Sequence, residues 1–119
     1  MAPRAGAPAL VLTDEDSNRL LTFPNPESLD VPHLYASHAD YLRIRAFPFG
    51  DEVREFLKGH KTVFVVEQNR DAQMKSLLLL EAGAVGERLV SILHYDGMPI
   101  PGECVIQGIV RHIEAEAAA

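Results

Sequence analysis

The fold is decided by the stretch Thr62-Val63-Phe64-Val65-Val66-Glu67-Gln68-Asn69-Arg70-Asp71. Its apolar part, residues 63–66, is an unbroken run of β-branched and aromatic side chains, which is typical of a strand buried on both faces. Three polar residues, Glu67, Gln68 and Asn69, end the run, and a helical pattern follows at once. In open α/β sheets, ligands and partners bind at the carboxyl ends of the strands. We therefore predict a central buried strand with a functional polar rim at its carboxyl end.

From Asp40 onward the sequence alternates between strand and helix patterns. Apolar alternation and short apolar runs predict strands over residues 41–46, 62–67 and 89–93. Helical spacing predicts three helices over residues 51–58, 69–82 and 103–115. For the first helix we expect Gly59 at C′, and for the second Asn69 as N-cap with Asp71 in its first turn. Short connections favour right-handed crossovers, so the fold class is α/β, with a parallel sheet covered by helices on both faces.

Residues 1–39 have a different character from residues 40–116, and we predict a division of the chain at this point. The segment holds five of the eight prolines, and we expect much of it to be irregular or poorly ordered. Only Ala9-Leu10-Val11-Leu12 reads as a strand, and Asp14 to Ser17 would cap a short helix through Leu21.

Composition excludes several classes of function. The chain has 119 residues, which fits one domain, and a net charge of −6 with scattered basic residues, which disfavours nucleic acid as a partner. No apolar run is long enough to span a bilayer and no secretory signal is apparent, so we expect a cytoplasmic protein without membrane contact. The single cysteine, Cys104, excludes an internal disulfide and a cluster held by this chain alone, and we expect it to be a small core residue.

The candidate site residues at the predicted rim are Glu67, Gln68 and Asn69. The helix that follows them would offer free N–H groups to a carboxylate or phosphate, with Arg45 nearby, and Glu67 would accept a cation or a partner's arginine. The alternative is that Asn69 only caps the helix and Glu67 pairs with Arg45 or Arg70 inside the domain.

A second candidate pair, His94 and Asp96, follows the third predicted strand. The two residues resemble an acid–base pair, but no nucleophile accompanies them, and polar residues without a catalytic role are common at strand ends. The histidines and Cys104 show no metal-ligand spacing, and neither phosphate-binding glycine fingerprint is present. We therefore predict no catalytic, metal-binding or cofactor-binding residues in this chain.

Three blocks of sequence resemble the C-terminal domain of the α subunit of 2-oxoacid:ferredoxin oxidoreductases, most closely the 2-oxoglutarate type. In order along the chain they are Asp40-Tyr41-Leu42-Arg43-Ile44-Arg45-Ala46-Phe47-Pro48-Phe49, Val63-Phe64-Val65-Val66-Glu67-Gln68-Asn69-Arg70-Asp71-Ala72-Gln73-Met74 and Leu93-His94-Tyr95-Asp96-Gly97-Met98-Pro99-Ile100. The resemblance implies a transketolase C-terminal-like fold, which is a three-layer α/β/α domain.

The resemblance also implies a whole enzyme that oxidatively decarboxylates a 2-oxoacid to an acyl-CoA, with coenzyme A as cosubstrate and ferredoxin as electron acceptor. In that family the β subunit holds most of the thiamine diphosphate site and the iron–sulfur cluster. The domain seen here would then be scaffold and subunit contact, inactive alone, with the β subunit as its partner.

The sequence departs from the family before Asp40, where a further strand, a small-residue turn and a helix are expected. Here Asp14-Glu15-Asp16 replaces the turn, and Pro24, Pro26 and Pro32 interrupt any long helix. The chain is then either a truncated or frame-altered product, or an excised domain with a divergent start. A missing helix would leave one sheet face uncovered, so we also expect self-association. Two further hypotheses are a remnant without activity and a small anion-binding module.

Overall fold

The computed structural model describes residues 9–13, 40–83, 86–98 and 100–118. These residues form four strands, three α-helices and a single 3-10 turn at Gly86–Arg88. In chain order the strands and helices are β1 (Ala9–Thr13), β2 (Asp40–Ile44), α1 (Asp51–Lys58), β3 (Val63–Glu67), α2 (Gln73–Glu81), β4 (Leu89–Leu93) and α3 (Gly102–Ala118).

The four strands form one parallel sheet in the order β2-β1-β3-β4. In the register, Ala9 lies opposite both Asp40 and Val63, and Val63 lies opposite Leu89. The prediction that the buried strand has a parallel neighbour on each side is therefore confirmed, with β1 and β4 as those neighbours.

Helices cover both faces of the sheet among the described residues. Helices α1 and α2 place Val53, Leu57 and Leu78 against one face, which contributes Val11 and Val65. Helix α3 places Val105, Ile106 and Ile109 against the other face, which contributes Phe64 and Val66. All five residues of β3 are buried, as its unbroken apolar run predicts. This small α/β fold is compatible with a three-layer α/β/α arrangement.

Strand β1 is the element whose importance the sequence did not reveal. The predicted strand at residues 9–12 exists, and it lies between β2 and β3 with its first four residues buried. The sheet therefore includes a strand from the N-terminal segment. The helix expected through Leu21 lies outside the described residues, as do the irregularity expected for residues 14–39 and the crossover helix whose loss would uncover a sheet face. The division at residue 40 stays a prediction.

Several predicted boundaries are wrong. Helix α2 begins at Gln73 rather than next to Asn69, so Asp71 is not in its first turn. Strand β2 ends at Ile44, two residues before the predicted end. Gly59 is the C-cap of α1 with φ −78°, so it is not a left-handed C′ residue. Gly83, with φ +66°, does take the left-handed conformation after α2.

Helix α2 carries a run of four leucines of which only Leu78 is buried. Leu80, by contrast, is 79% exposed, and Leu79 is also exposed. The helix is therefore apolar on more than one side, and its outer side faces solvent.

Candidate functional site

The predicted rim lies at the carboxyl ends of β3 and β4, which are adjacent strands. Glu67 is the last residue of β3, and the Glu67 carbonyl accepts a hydrogen bond from the His94 N–H at 3.0 Å. Arg45 follows β2, and β1 separates β2 from β3. Because neighbouring strands lie about 4.8 Å apart, the backbone of β2 is about 10 Å from that of β3. The structure therefore brings the β3 and β4 candidates together and places Arg45 two strands away.

Glu67 is a buried carboxylate with its oxygens turned to the start of α2. The side chain is 2% exposed. Its Oε1 accepts hydrogen bonds from the backbone N–H of Met74 at 2.5 Å and from Asn69 Nδ2 at 2.9 Å, and its Oε2 accepts one from the Lys75 N–H at 3.2 Å. A carboxylate at this position also interacts favourably with the positive end of the helix dipole. Glu67 thus fills the anion position that the helix start would otherwise present.

Asn69 acts as a side-chain cap without being the N-cap residue. Its Oδ1 accepts the Gln73 N–H at 3.2 Å, while its Nδ2 donates to Glu67. The N-cap residue is Ala72, in the left-handed conformation with φ 51° and ψ 50°. The prediction that Asn69 is the N-cap residue is wrong, because a turn separates it from the first helical residue, although its side chain still accepts a helix N–H. The contacts of Glu67 are with Asn69 and the helix start, rather than the arginine pairing considered above.

Gln68 joins the rim to the loop that leads into α3. Its Oε1 accepts the backbone N–H of Ile100 at 3.0 Å, and Ile100 is fully buried between the sheet and α3. The side chain therefore fixes the entry to α3.

His94 and Asp96 lie beyond the end of β4, which stops at Leu93. The structure does bring them together, because His94 Nε2 is 2.9 Å from Asp96 Oδ1. The two atoms are close enough for an ion pair, but their geometry is not that of a hydrogen bond, and His94 Nε2 has no hydrogen-bond partner within the described part of the chain. The same Asp96 oxygen accepts the Met98 N–H at 2.9 Å, so this carboxylate shapes the loop.

The hydrogen bonds of the rim connect structural elements to one another. The first N–H groups of α2 are paired with Glu67 and Asn69, and Asp96 is engaged by its own loop. Within the described ranges, no group of three His, Cys, Asp or Glu side chains could hold a metal ion.

Cys104 is half-buried at the side of the α3 helix, against the apolar cluster that includes Ile92 and Val105. Burial raises the pKa of its thiol, Arg111 counteracts part of that increase, and Asp96 adds to it. A thiol with a raised pKa is a poor nucleophile at neutral pH. Cys104 packs against the core but is only half-buried, so it lies at the margin of the core rather than within it as the sequence predicted.

A buried pair, Asp40 and His60, was not predicted from the sequence. Asp40 Oδ2 lies 3.1 Å from His60 Nε2, and His60 Nδ1 lies 2.8 Å from the Phe56 carbonyl oxygen. A carbonyl oxygen only accepts, so Nδ1 carries a proton. The spacing of Phe56 and His60 by one helical turn hints at their stacking, but nothing in the sequence links His60 to Asp40.

An open groove of about 360 Å³ runs between β4 and α3. Its lining includes residues 90–93 of β4, the small residues Gly108 and Ala115, and the polar residues Gln107 and Arg111. Gly108 is needed for the close packing here, because a Cβ atom on it would lie 2.9 Å from Ile92 Cγ1.

No family model, no curated protein and no solved structure matches this chain. Among the described residues, no helix combines the length and the apolar character that a membrane span requires.

Proposed function

We propose that this chain is a structural and subunit-interface domain of a 2-oxoacid:ferredoxin oxidoreductase α subunit, with a transketolase C-terminal-like fold. The proposed whole enzyme converts a 2-oxoacid, most closely 2-oxoglutarate, to an acyl-CoA and reduces ferredoxin. Support comes from the three sequence blocks that resemble this family and from the parallel sheet in which all three blocks take part.

The observation that carries the proposal is that the polar side chains of the rim form hydrogen bonds within the fold. Glu67, Asn69 and Gln68 bind the start of α2 and the entry to α3. A rim organised in this way holds two helices and a loop in fixed positions, which is what a scaffold that presents a surface to another subunit needs.

Exposed apolar side chains at the same end of the sheet supply the surface. Phe47 follows β2 and is 54% exposed, while Tyr95 and Met98 follow β4 and are 60% and 66% exposed. Large aromatic side chains and methionine are enriched where one protein binds another. We therefore assign Tyr95 and Met98, the apolar rim patch, to contact with the β subunit, and Phe47, three strands away in the sheet, to a separate contact with it.

The chain does not fit the cofactors of the proposed enzyme by itself. An iron–sulfur cluster takes four thiolates and Cys104 is the single cysteine, while the N–H groups that a diphosphate would need at α2 are paired with Glu67. In the proposal, thiamine diphosphate and the cluster belong to the β subunit, and this chain contributes no residue to either.

The test is co-purification from the native host under anaerobic conditions, with an affinity tag on this chain. We expect a second subunit to elute with it, carrying thiamine diphosphate and the visible absorption of an iron–sulfur cluster. The eluate should reduce ferredoxin in the presence of 2-oxoglutarate and coenzyme A.

A matched pair of variants locates the contact. Met98→Asp should abolish co-purification, because it places a charge in the apolar rim patch. Leu80→Asp makes the same kind of change at an exposed site on α2 and should leave co-purification intact. If the wild-type chain folds cooperatively and recovers no cluster-bearing subunit, the proposal is wrong.

A further inference from the structure

The two outer strands of the sheet differ in how their open edges are protected. Strand β2 contains the charged residues Asp40 and Arg43, whereas β4 reads Leu89-Val90-Ser91-Ile92-Leu93 and has neither a charge nor a proline. Proteins that keep an edge strand from pairing usually place a charge, a proline or a bulge there. The composition of β4 is therefore typical of a strand that has a pairing partner on both of its edges.

The backbone groups of β4 alternate between its neighbour and its open edge. In a parallel ladder, alternate residues direct both their N–H and C=O groups to the same neighbouring strand. The bond from the His94 N–H to the Glu67 carbonyl assigns Val90, Ile92 and His94 to the side of β3. The groups of Leu89, Ser91 and Leu93 therefore point outward, and none of the described strands pairs with them.

We propose that a second copy of this chain adds to this edge, with β4 pairing antiparallel to β4 about a two-fold axis at Ser91. The strand is close to a palindrome, since reversing it gives Leu-Ile-Ser-Val-Leu. Antiparallel pairing about Ser91 places Ser91 opposite its copy and Leu89 opposite Leu93, and all six residues in these pairs have outward-pointing backbone groups. A two-fold interface requires this kind of self-complementarity.

The groove beside β4 gives the second copy room. Gly108 allows α3 to lie close over Ile92, and the side of α3 toward the edge carries the small residues Cys104 and Ala115 together with the longer side chains of Gln107 and Arg111. Two such helices, related by the axis, can then approach each other at the usual distance for packed helices, about 8–10 Å. The joined sheets would be continuous, with α3 and its copy side by side on one face.

Arg111 gives this association a characteristic salt dependence. Gly108 is level with Ile92, so the axis at Ser91 passes close to Arg111 and brings it near its copy. Like charges repel and salt screens the repulsion, so added salt should strengthen the dimer. An acidic peptide bound to the same edge through Arg111 would show the opposite dependence.

The experiment measures the mass of the full chain by sedimentation equilibrium and the protection of its backbone amides by hydrogen exchange. At high concentration we expect twice the mass of the 13.1 kDa chain. The amides of Ser91 and Leu93 should become protected only at concentrations where the dimer forms. The amides of Val90 and Ile92 should be protected at every concentration, because they bond to β3.

A matched pair of variants at one position tests the strand pairing. Ser91→Pro removes an outward N–H that no described residue uses, and edge strands tolerate proline at such positions, so we expect a folded monomer. Ser91→Thr keeps the N–H and favours strand, so it should dimerise like the wild type. The alternating exchange pattern tests the proposal in the wild-type chain even if Ser91→Pro fails to fold.

Three outcomes would overturn the proposal: a monomer at every concentration, a dimer in which the Ser91 and Leu93 amides stay unprotected, or a dimer that salt dissociates. Protection of those amides only on addition of an acidic strand-forming peptide would assign the edge to another protein. None of these results depends on whether a β subunit co-purifies, so this proposal and the proposed function can fail separately.

Discussion

The two ends of the sheet each bury a carboxylate, and they do so in different ways. At the carboxyl end Glu67, 2% exposed, accepts hydrogen bonds from two backbone N–H groups and an amide. At the amino end Asp40, 4% exposed, faces the imidazole of His60. The donors to Glu67 are mainly backbone N–H groups of one helix turn, whereas Asp40 faces a side chain from a later part of the chain. The comparison shows that the carboxyl end is held by helix backbone dipoles, and the amino end by a side-chain contact.

The largest effect should come from Glu67→Ala, which breaks the carboxyl end. It leaves the Met74 and Lys75 N–H groups and the Asn69 amide without their acceptor, so we expect a loss of about 3–5 kcal/mol in the free energy of unfolding. Urea denaturation monitored by circular dichroism measures it. Glu67→Gln is the control, because it keeps one acceptor oxygen and should cost less. Equal losses for the two variants would contradict the account of this network.

The second effect should come from His60→Leu, which breaks the amino end. It leaves a buried carboxylate without the imidazole, and we expect a loss of about 3 kcal/mol. Combining it with Asp40→Leu should recover much of that stability, since replacing both members of a buried pair by apolar residues is often neutral. A double variant as unstable as the sum of the single variants, again by urea denaturation, would show that the two residues act independently.

A smaller effect should come from Ala72→Gly, which tests for backbone strain at the carboxyl end of the sheet. Ala72 adopts φ 51° at the start of α2, a conformation that costs an L-residue about 1–2 kcal/mol. Glycine relieves that cost but adds chain entropy in the unfolded state, so Ala72→Gly should stabilise the fold by about 0.5 kcal/mol. Ala82→Gly, at the C-cap of the same helix where φ is −108°, should destabilise it. A loss of stability in Ala72→Gly would contradict the left-handed conformation.

The smallest effect concerns Cys104, the titratable group with a shifted pKa among the residues that the structure describes. Because burial raises the pKa of Cys104, the folded chain releases this proton at a higher pH than the unfolded chain. The contribution of the thiol to stability is complete below its ordinary pKa and is lost as pH rises through the raised value. Denaturation at neutral and alkaline pH should show this loss in the wild type and not in Cys104→Ala. Alkylation of the native thiol should also be slower than that of the unfolded chain.

Much of the fold was predictable because it depends on local patterns. The buried run at residues 63–66 and the strand at residues 89–93 stood out by their composition, and α1 was predicted over its full range, Asp51–Lys58. The start of α2 was not predicted correctly, because Asn69 has the residue type of an N-cap. In the structure a turn follows Asn69, and its side chain accepts the N–H of Gln73 beyond that turn. Local propensity favoured an immediate helix, and the buried Glu67 carboxylate determined where the helix begins.

The sequence predicted where the candidate site lies but not the hydrogen bonds that its residues make. Glu67, Gln68 and Asn69 were recognised because polar residues at the end of a buried strand are unusual. Their partners, the Met74 and Lys75 N–H groups and the Ile100 N–H, become visible only when the helix and the loop are folded against them. Arg45 looked close to them because its strand precedes β3 along the chain, and the inserted β1 separates them in space.

The sequence by itself determined which segments are strands and helices and which sides of them are apolar, because periodicity and side-chain branching act over a few residues. Only the tertiary structure decided that β1 lies inside the sheet, that Asp40 meets His60, and that β4 is left at an edge beside a groove. The physical reason is that these contacts join residues far apart in the chain. Their free energy comes from burying both partners together, and neither partner carries a local sign of the other.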